Sequence, residues 1–187
     1  MSETILSIFL GIGLAASVGF RVFLPLFALS LASCFNVWEL NESWQWIGSM
    51  TALITLGVAT LVEIGTYYIP FVDNLMDTIA IPLATVAGTA VMVSTVADLS
   101  PVVTWALAII AGGGTAATIK SATSATRLTS SVSTAGFGNP IVTTIETGSS
   151  IVMTLLSIFL PIVGFIMVIV ILIVFYKLYK KIKPTSH

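Results

Sequence analysis

The strongest constraint on how this chain can fold is where its charges are missing. Seven Lys plus Arg and eight Asp plus Glu are spread over 187 residues so unevenly that 43–62, 78–97, 99–119 and 147–176 carry none. Each of these runs reaches the roughly 20 residues that an α-helix needs to cross a bilayer. With 57% of residues hydrophobic and a mean hydropathy of +1.08, a water-soluble monomer is excluded. The expected fold class is an all-α integral membrane protein of about six transmembrane helices. A net charge of −1 leaves no basic field to hold nucleic acid.

Several chemistries drop out next. The only histidine is His187, the last residue, so a Ser-His-Asp or Cys-His arrangement would have to be built from a chain end. Cys34 is alone, which removes an intramolecular disulfide and a Cys-x-x-Cys site. The start, Met1-Ser-Glu-Thr, lacks the basic region of a secretory signal and is expected to belong to the first membrane segment. No cofactor is expected, and the chain does not look like an enzyme.

Membrane segments are expected near 4–33, 46–68, 78–97, 101–128, 140–160 and 162–179, in one transmembrane domain covering 1–187 with halves 1–97 and 98–180. Lys177, Lys180, Lys181 and Lys183 place the C-terminal end, with its short basic tail 181–187, in the cytoplasm. Six crossings then put the N-terminus there too. On this layout Trp38, Trp44, Trp46 and Trp105 fall outside and Tyr67, Tyr68, Tyr176 and Tyr179 inside, a segregation at membrane–water interfaces that was not used to draw it. Ser100-Pro101 and Asn139-Pro140 read as N-caps followed by proline at the first helical position. Pro161 marks either a very tight turn or a kink.

Residues 4–33 as one helix would measure about 45 Å against a hydrocarbon core of about 30 Å. Pro25 offers a break, because it cannot donate to the carbonyl of Arg21. Gly112, Gly113 and Gly114 are the corresponding weak point of the fourth segment. Discontinuous first and fourth helices would suit a transport site. Gly13-Leu-Ala-Ala-Ser-Val and Gly114-Thr-Ala-Ala-Thr-Ile share a pattern. One reading of it is a 3+3 inverted repeat; the other is chance similarity in a chain rich in Ala and Gly.

Arg21, Glu63, Lys120, Arg127 and Glu146 lie within or at the ends of apolar segments, with Asp73 and Asp77 between the second and third. An unpaired charge near the bilayer centre costs about 2.5–3.5 kcal/mol, so these groups should face each other or water. The expected result is a polar cluster opening toward the cytoplasm. Sixteen of the 36 residues from Thr115 to Ser150 are Ser or Thr, among them Thr126 and Thr143, and can supply hydrogen bonds beside Asn139. The loop 133–140, with Gly136 and Gly138, is a candidate gate if protein covers its backbone. Plain structural explanations stand beside these: Lys120 and Arg127 snorkelling to an interface, Glu63 and Glu146 as their partners, Asp73, Asp77 and Asp98 as solvated or capping residues, and hydroxyls as helix–helix glue.

At these residues the chain resembles a bacterial integral-membrane family known as domain of unknown function 4126. The similarity rests on Gly19-Phe-Arg-Val-Phe-Leu-Pro-Leu-Phe, on Glu63, Ile69-Pro-Phe-Val-Asp73, Asp77-Thr, Pro82 and Gly88, and on Lys120, Thr126-Arg127, Asn139 and Glu146, over about 13–160. Ile81 and Thr147 stand where the family often has an Arg and an acid. The resemblance implies a polytopic protein of the bacterial cytoplasmic membrane and brings no established activity.

The expected function is a small transporter or channel-like protein, with membrane lipids around it. A small polar or anionic solute or a lipid headgroup would be held by Arg21, Lys120, Arg127, Glu63, Glu146, Thr126, Asn139 and Thr143. Pro25 and Gly112–Gly114 would be the moving parts, and a homodimer could enclose the path. The rival expectations are an accessory or scaffold subunit of a larger membrane complex, and an intramembrane enzyme with a divalent cation on Asp73 and Asp77.

Overall fold

A computed structural model describes residues 2–69, 72–97 and 99–182; Asp98, Lys183 and His187, and with them most of the basic tail 181–187, lie outside the described residues. The chain forms α1 (Ser2–Phe20), α2 (Phe23–Cys34), a 3-10 helix (Glu42–Gly48), α3 (Met50–Thr66), α4 (Val72–Thr95), α5 (Pro101–Leu107), a π-helical stretch (Ala108–Gly113), α6 (Gly114–Thr134), α7 (Asn139–Phe159) and α8 (Pro161–Ile182). No strand occurs among the described residues. Five helices are long and apolar enough to cross a membrane. A sixth joins them if the 3-10 helix and α3, bent by 64° at Ser49, are counted as one span.

The long first segment is broken, but not into a tilted span. α1 ends where Arg21 N–H donates to Ser17 C=O, and α2 starts two residues later with Pro25 in its first turn, where the missing N–H costs nothing. α2 then turns back alongside α1. Leu29 and Ala32 of α2 join Leu10 and Leu14 of α1 in one core cluster, and Asn41, seven residues past the end of α2, donates its N–H to Ser94 C=O near the end of α4. Residues 2–34 are therefore a helical hairpin with Arg21 and Val22 at its tip.

α1 is the central helix, packed against α4, α6, α7 and α8. It runs antiparallel to α4, where Ala97 N–H reaches Ser7 Oγ at 3.1 Å, and to α7, where Ser17 meets Ser150 and Thr154. It is parallel to α8: Phe9 stacks on Phe165, and Phe20 packs near Phe175. Ser2 and Ile182 thus lie at opposite ends of the bundle. The expectation of both termini on one side rests on six crossings, and the short helix α2 adds a leg that this count leaves out. The aromatic segregation survives the added leg. Trp44 packs with Ile8, Met92 and Val96 at the end where α1 begins, while Tyr67 lies at the hairpin tip.

Of the two readings of the shared pattern, the inverted repeat is not confirmed. The two similar stretches fall in α1 and α6, which run in the same direction because each is antiparallel to α4, whereas equivalent helices of an inverted repeat run oppositely. The fourth segment widens into the π-helical stretch and continues, so that Pro101–Thr134 forms a 34-residue span. Its glycines serve close packing. A Cβ at Gly112 would lie 2.6 Å from Gly88 O, and one at Gly113 2.6 Å from Thr89 Oγ1. Gly114 meets nothing within 4 Å.

Two further boundaries move. α4 starts at Val72 rather than 78, taking in Asp73 and Asp77, acids that favour a helix N-terminus. The stretch expected to dip into the membrane is an exposed turn instead. α6 runs to Thr134, Ala135 and Gly136 take φ of 51° and 86°, and Phe137 is 88% exposed, so no protein covers the backbone of a gate there. Gly136 and Gly138 shape that turn.

Candidate functional site

Where the hairpin tip meets α3, α4, α6 and α7, the bundle buries an unusual load of charge. Arg21, Lys120 and Arg127 are fully buried, and Glu63, Asp73 and Glu146 almost so. Lys120 lies 14 residues before the end of α6, about 21 Å along its axis. Removing such groups from water costs several kcal/mol each unless partners replace the solvent.

Most partners are found within the cluster. Glu146 Oε2 is shared by Arg21 Nη2 at 3.3 Å and by Arg127 Nη2, and Arg127 Nε lies 3.3 Å from Asp77 Oδ2. Thr143 is the junction: its carbonyl accepts from Arg21 Nη2 at 3.1 Å, and its hydroxyl accepts from Arg127 Nη1 at 3.0 Å while donating to Tyr67 C=O at 3.1 Å. Arg21 Nε also donates to Thr147 Oγ1 at 3.1 Å. Asp77 receives hydrogen bonds from the Tyr67 and Ser124 hydroxyls.

The Tyr67 ring organises the three cations. Arg21 Cζ and Arg127 Cζ each lie 4.3 Å from its centroid and Lys120 Nζ 5.0 Å, within the range of cation–π attraction. Tyr67 is only 2% exposed. The sequence reading used it only as an interface aromatic. The signal that singles it out is its position four residues after Glu63, which puts both on one face of α3.

Of the two roles expected of Glu63, holding a cation or carrying a coupling proton, the first is not seen as a salt bridge among the described residues. The Glu63 carboxylate accepts the backbone N–H of Val22 at 2.7 Å and of Phe23 at 2.9 Å. The reason is the break in the first segment. A helix that starts inside the bundle presents N–H groups with no intrahelical acceptor and a partial positive charge, and a carboxylate answers both. Thus Glu63 fixes the tip from which Arg21 reaches the cluster.

Among the described residues four buried atoms of the cluster have no hydrogen-bond partner: Arg21 Nη1, Lys120 Nζ, Glu146 Oε1, and Arg127 Nε, which is ion-paired with Asp77. Lys120 also forms no ion pair among the described residues. Asn139 sits to one side, donating to Asp73 Oδ2 at 2.6 Å and to Ser131 Oγ at 2.8 Å. Thr126 does not join the cluster; its hydroxyl bonds Ala122 C=O on its own helix, and it lines a groove between α6, α7 and α8. Asp73 and Asp77 turn to different partners, and no group of three His, Cys, Asp or Glu among the described residues is placed to hold a metal ion.

The family described as Domain of unknown function (DUF4126) matches residues 8–181, which takes in every side chain of this cluster. No curated protein and no solved structure matches the chain significantly.

Proposed function

The chain belongs to the DUF4126 family, and since the description of that family assigns no activity, we propose a function from the site itself: a small membrane transporter or channel-like protein that binds and moves a small anionic solute or a lipid headgroup. The supporting observation is the pair of buried donors without acceptors, Arg21 Nη1 and Lys120 Nζ, on cations gathered at one aromatic ring. A buried cation without an acceptor is costly, and an anion entering beside Tyr67 would remove the cost. Arg21 and Lys120 are the binding groups. Glu146, Asp77 and Thr143 hold Arg127 and Arg21 in place, and Glu63 positions the hairpin tip. The basic end of α8 supports a cytoplasmic position for this end of the bundle, in a protein of the bacterial inner membrane.

Reconstitution tests the proposal. Phosphatidylcholine vesicles carrying the protein should lose trapped phosphate, or pass a headgroup-labelled phospholipid between leaflets, faster than empty vesicles. Arg21→Gln and Lys120→Met should return to the empty-vesicle rate with helix content intact. Equal rates for the native protein, both variants and empty vesicles refute it.

The mutual pairing of Arg21, Glu146, Arg127 and Asp77 favours a second reading, an accessory subunit in which the cluster only fixes helix packing. In that case Arg21→Gln would weaken assembly with a larger complex and leave vesicle permeability untouched.

A further inference from the structure

Beside the cluster, a groove of about 640 Å³ runs between α6, α7 and α8, within the range of about 300–1,000 Å³ usual for ligand sites. Its walls are apolar, including Val142, Val152, Met167 and Phe175. Only 11% of the α8 window Pro161–Leu178 is buried against protein, so the groove opens where lipid surrounds the bundle.

The groove meets the charged cluster at Glu146, which lines it directly. Behind that carboxylate lies the Arg21 guanidinium, its Nη2 3.3 Å from Glu146 Oε2. Glu146 Oε2 is turned to the arginines, and Oε1, buried, has no partner. One acceptor, Glu146 Oε1, is therefore left over on the residue where the groove and the cluster join, and two donors, Arg21 Nη1 and Lys120 Nζ, are left over in the cluster behind it.

That set is complementary to one chemistry. A phosphate diester supplies acceptors for Arg21 and Lys120, a headgroup hydroxyl or ammonium supplies a donor for Glu146 Oε1, and an acyl chain fills the groove. Building on the anion-binding function proposed above, we infer that the ligand is a phospholipid with a hydrogen-bond donor in its headgroup, such as phosphatidylglycerol, seated with one chain between α6 and α8. Phosphatidylcholine, whose trimethylammonium group has no N–H or O–H, lacks the group that Glu146 calls for.

Gly148 gives a way to fill the groove. It lines the cavity, and a Cβ there meets nothing within 4 Å, so a larger side chain has room to enter. The protein is embedded in nanodiscs of phosphatidylcholine and phosphatidylglycerol in equal parts, and the lipid retained after release is identified by native mass spectrometry. Its thermal stabilisation by inorganic phosphate is measured in parallel. The native protein should retain phosphatidylglycerol over phosphatidylcholine, and Gly148→Phe should lower retention about tenfold, the equivalent of about 1.4 kcal/mol. Val152→Trp, on the same wall and 54% exposed, should do the same and serves if Gly148→Phe does not fold. Stabilisation by phosphate without preferential retention of phosphatidylglycerol overturns this inference and leaves the anion site standing, as does retention undiminished by either groove variant. Neither phosphate stabilisation nor lipid retention in the native protein overturns both.

Discussion

Glu63 offers the sharpest test of how the hairpin is held. Glu63→Ala removes the acceptor from Val22 N–H and Phe23 N–H, bonded at 2.7 and 2.9 Å. Each buried donor left without a partner costs about 1–3 kcal/mol, so the two together should destabilise the fold by about 2–6 kcal/mol. Glu63→Gln keeps one acceptor oxygen but turns its amide N–H₂ toward the other donor, and should lose about half as much. Unfolding in detergent micelles of rising dodecyl sulfate content, followed by helix circular dichroism, reads both. If Glu63 acted mainly as a counter-ion to Arg21, its loss would cost little once Arg21 was replaced by Met. With backbone capping as its main task, the Glu63→Ala cost should persist in the Arg21→Met background, with a coupling below about 1 kcal/mol. A Glu63→Ala protein within about 0.5 kcal/mol of native, or a cost that vanishes in the double variant, refutes the capping argument.

Other outcomes follow from the same geometry. Glu146→Leu removes the carboxylate that both guanidinium groups share, leaves Arg21 buried without an ion pair among the described residues, and should cost about 3–5 kcal/mol in the same unfolding assay. Lys120→Met removes a buried ammonium that has no hydrogen-bond or ion-pair partner among the described residues, so without ligand it should leave stability unchanged or raise it by about 1–3 kcal/mol while abolishing anion binding. Gly112→Ala forces a methyl to within 2.6 Å of Gly88 O and should destabilise by about 1–3 kcal/mol, whereas Gly114→Ala should be neutral or stabilising. In a Cys34→Ser background, cysteines at positions 4 and 181 should react with an impermeant thiol reagent from opposite sides of the membrane; reaction from one side would refute the hairpin.

The sequence carried the class of fold and most members of the site, because both follow from the scarcity of charge. Buried ionisable groups in an apolar bundle must find one another, and Arg21, Arg127 and Glu146 do so across more than a hundred residues of chain. What it could not carry was direction. Pro25 and the excess length of 4–33 marked a break at Arg21, yet a kinked span and a hairpin have the same local pattern. The choice is made by distant contacts, such as Asn41 with Ser94 and Leu29 with Leu10. The number of legs, and with it the end of the bundle at which Ser2 lies, rests on those same distant contacts. Glu63 was found but not its backbone partners, since an acid that caps backbone and one that pairs with arginine look alike in a string of letters. Gly112 was taken for flexibility where it provides close approach to Gly88, because either use selects the same residue.

The cap on the hairpin tip also bears on how the protein is made. The acceptor lies 41 and 40 residues downstream of the two N–H groups it serves. At about 5–20 residues per second, a ribosome finishes residues 22–23 roughly 2–8 s before it adds Glu63. During that interval the tip has no carboxylate to close it and cannot settle among lipid tails on its own. Until Glu63 is made, Val22 N–H and Phe23 N–H lack the acceptor that the finished fold gives them, so closing the tip waits for α3.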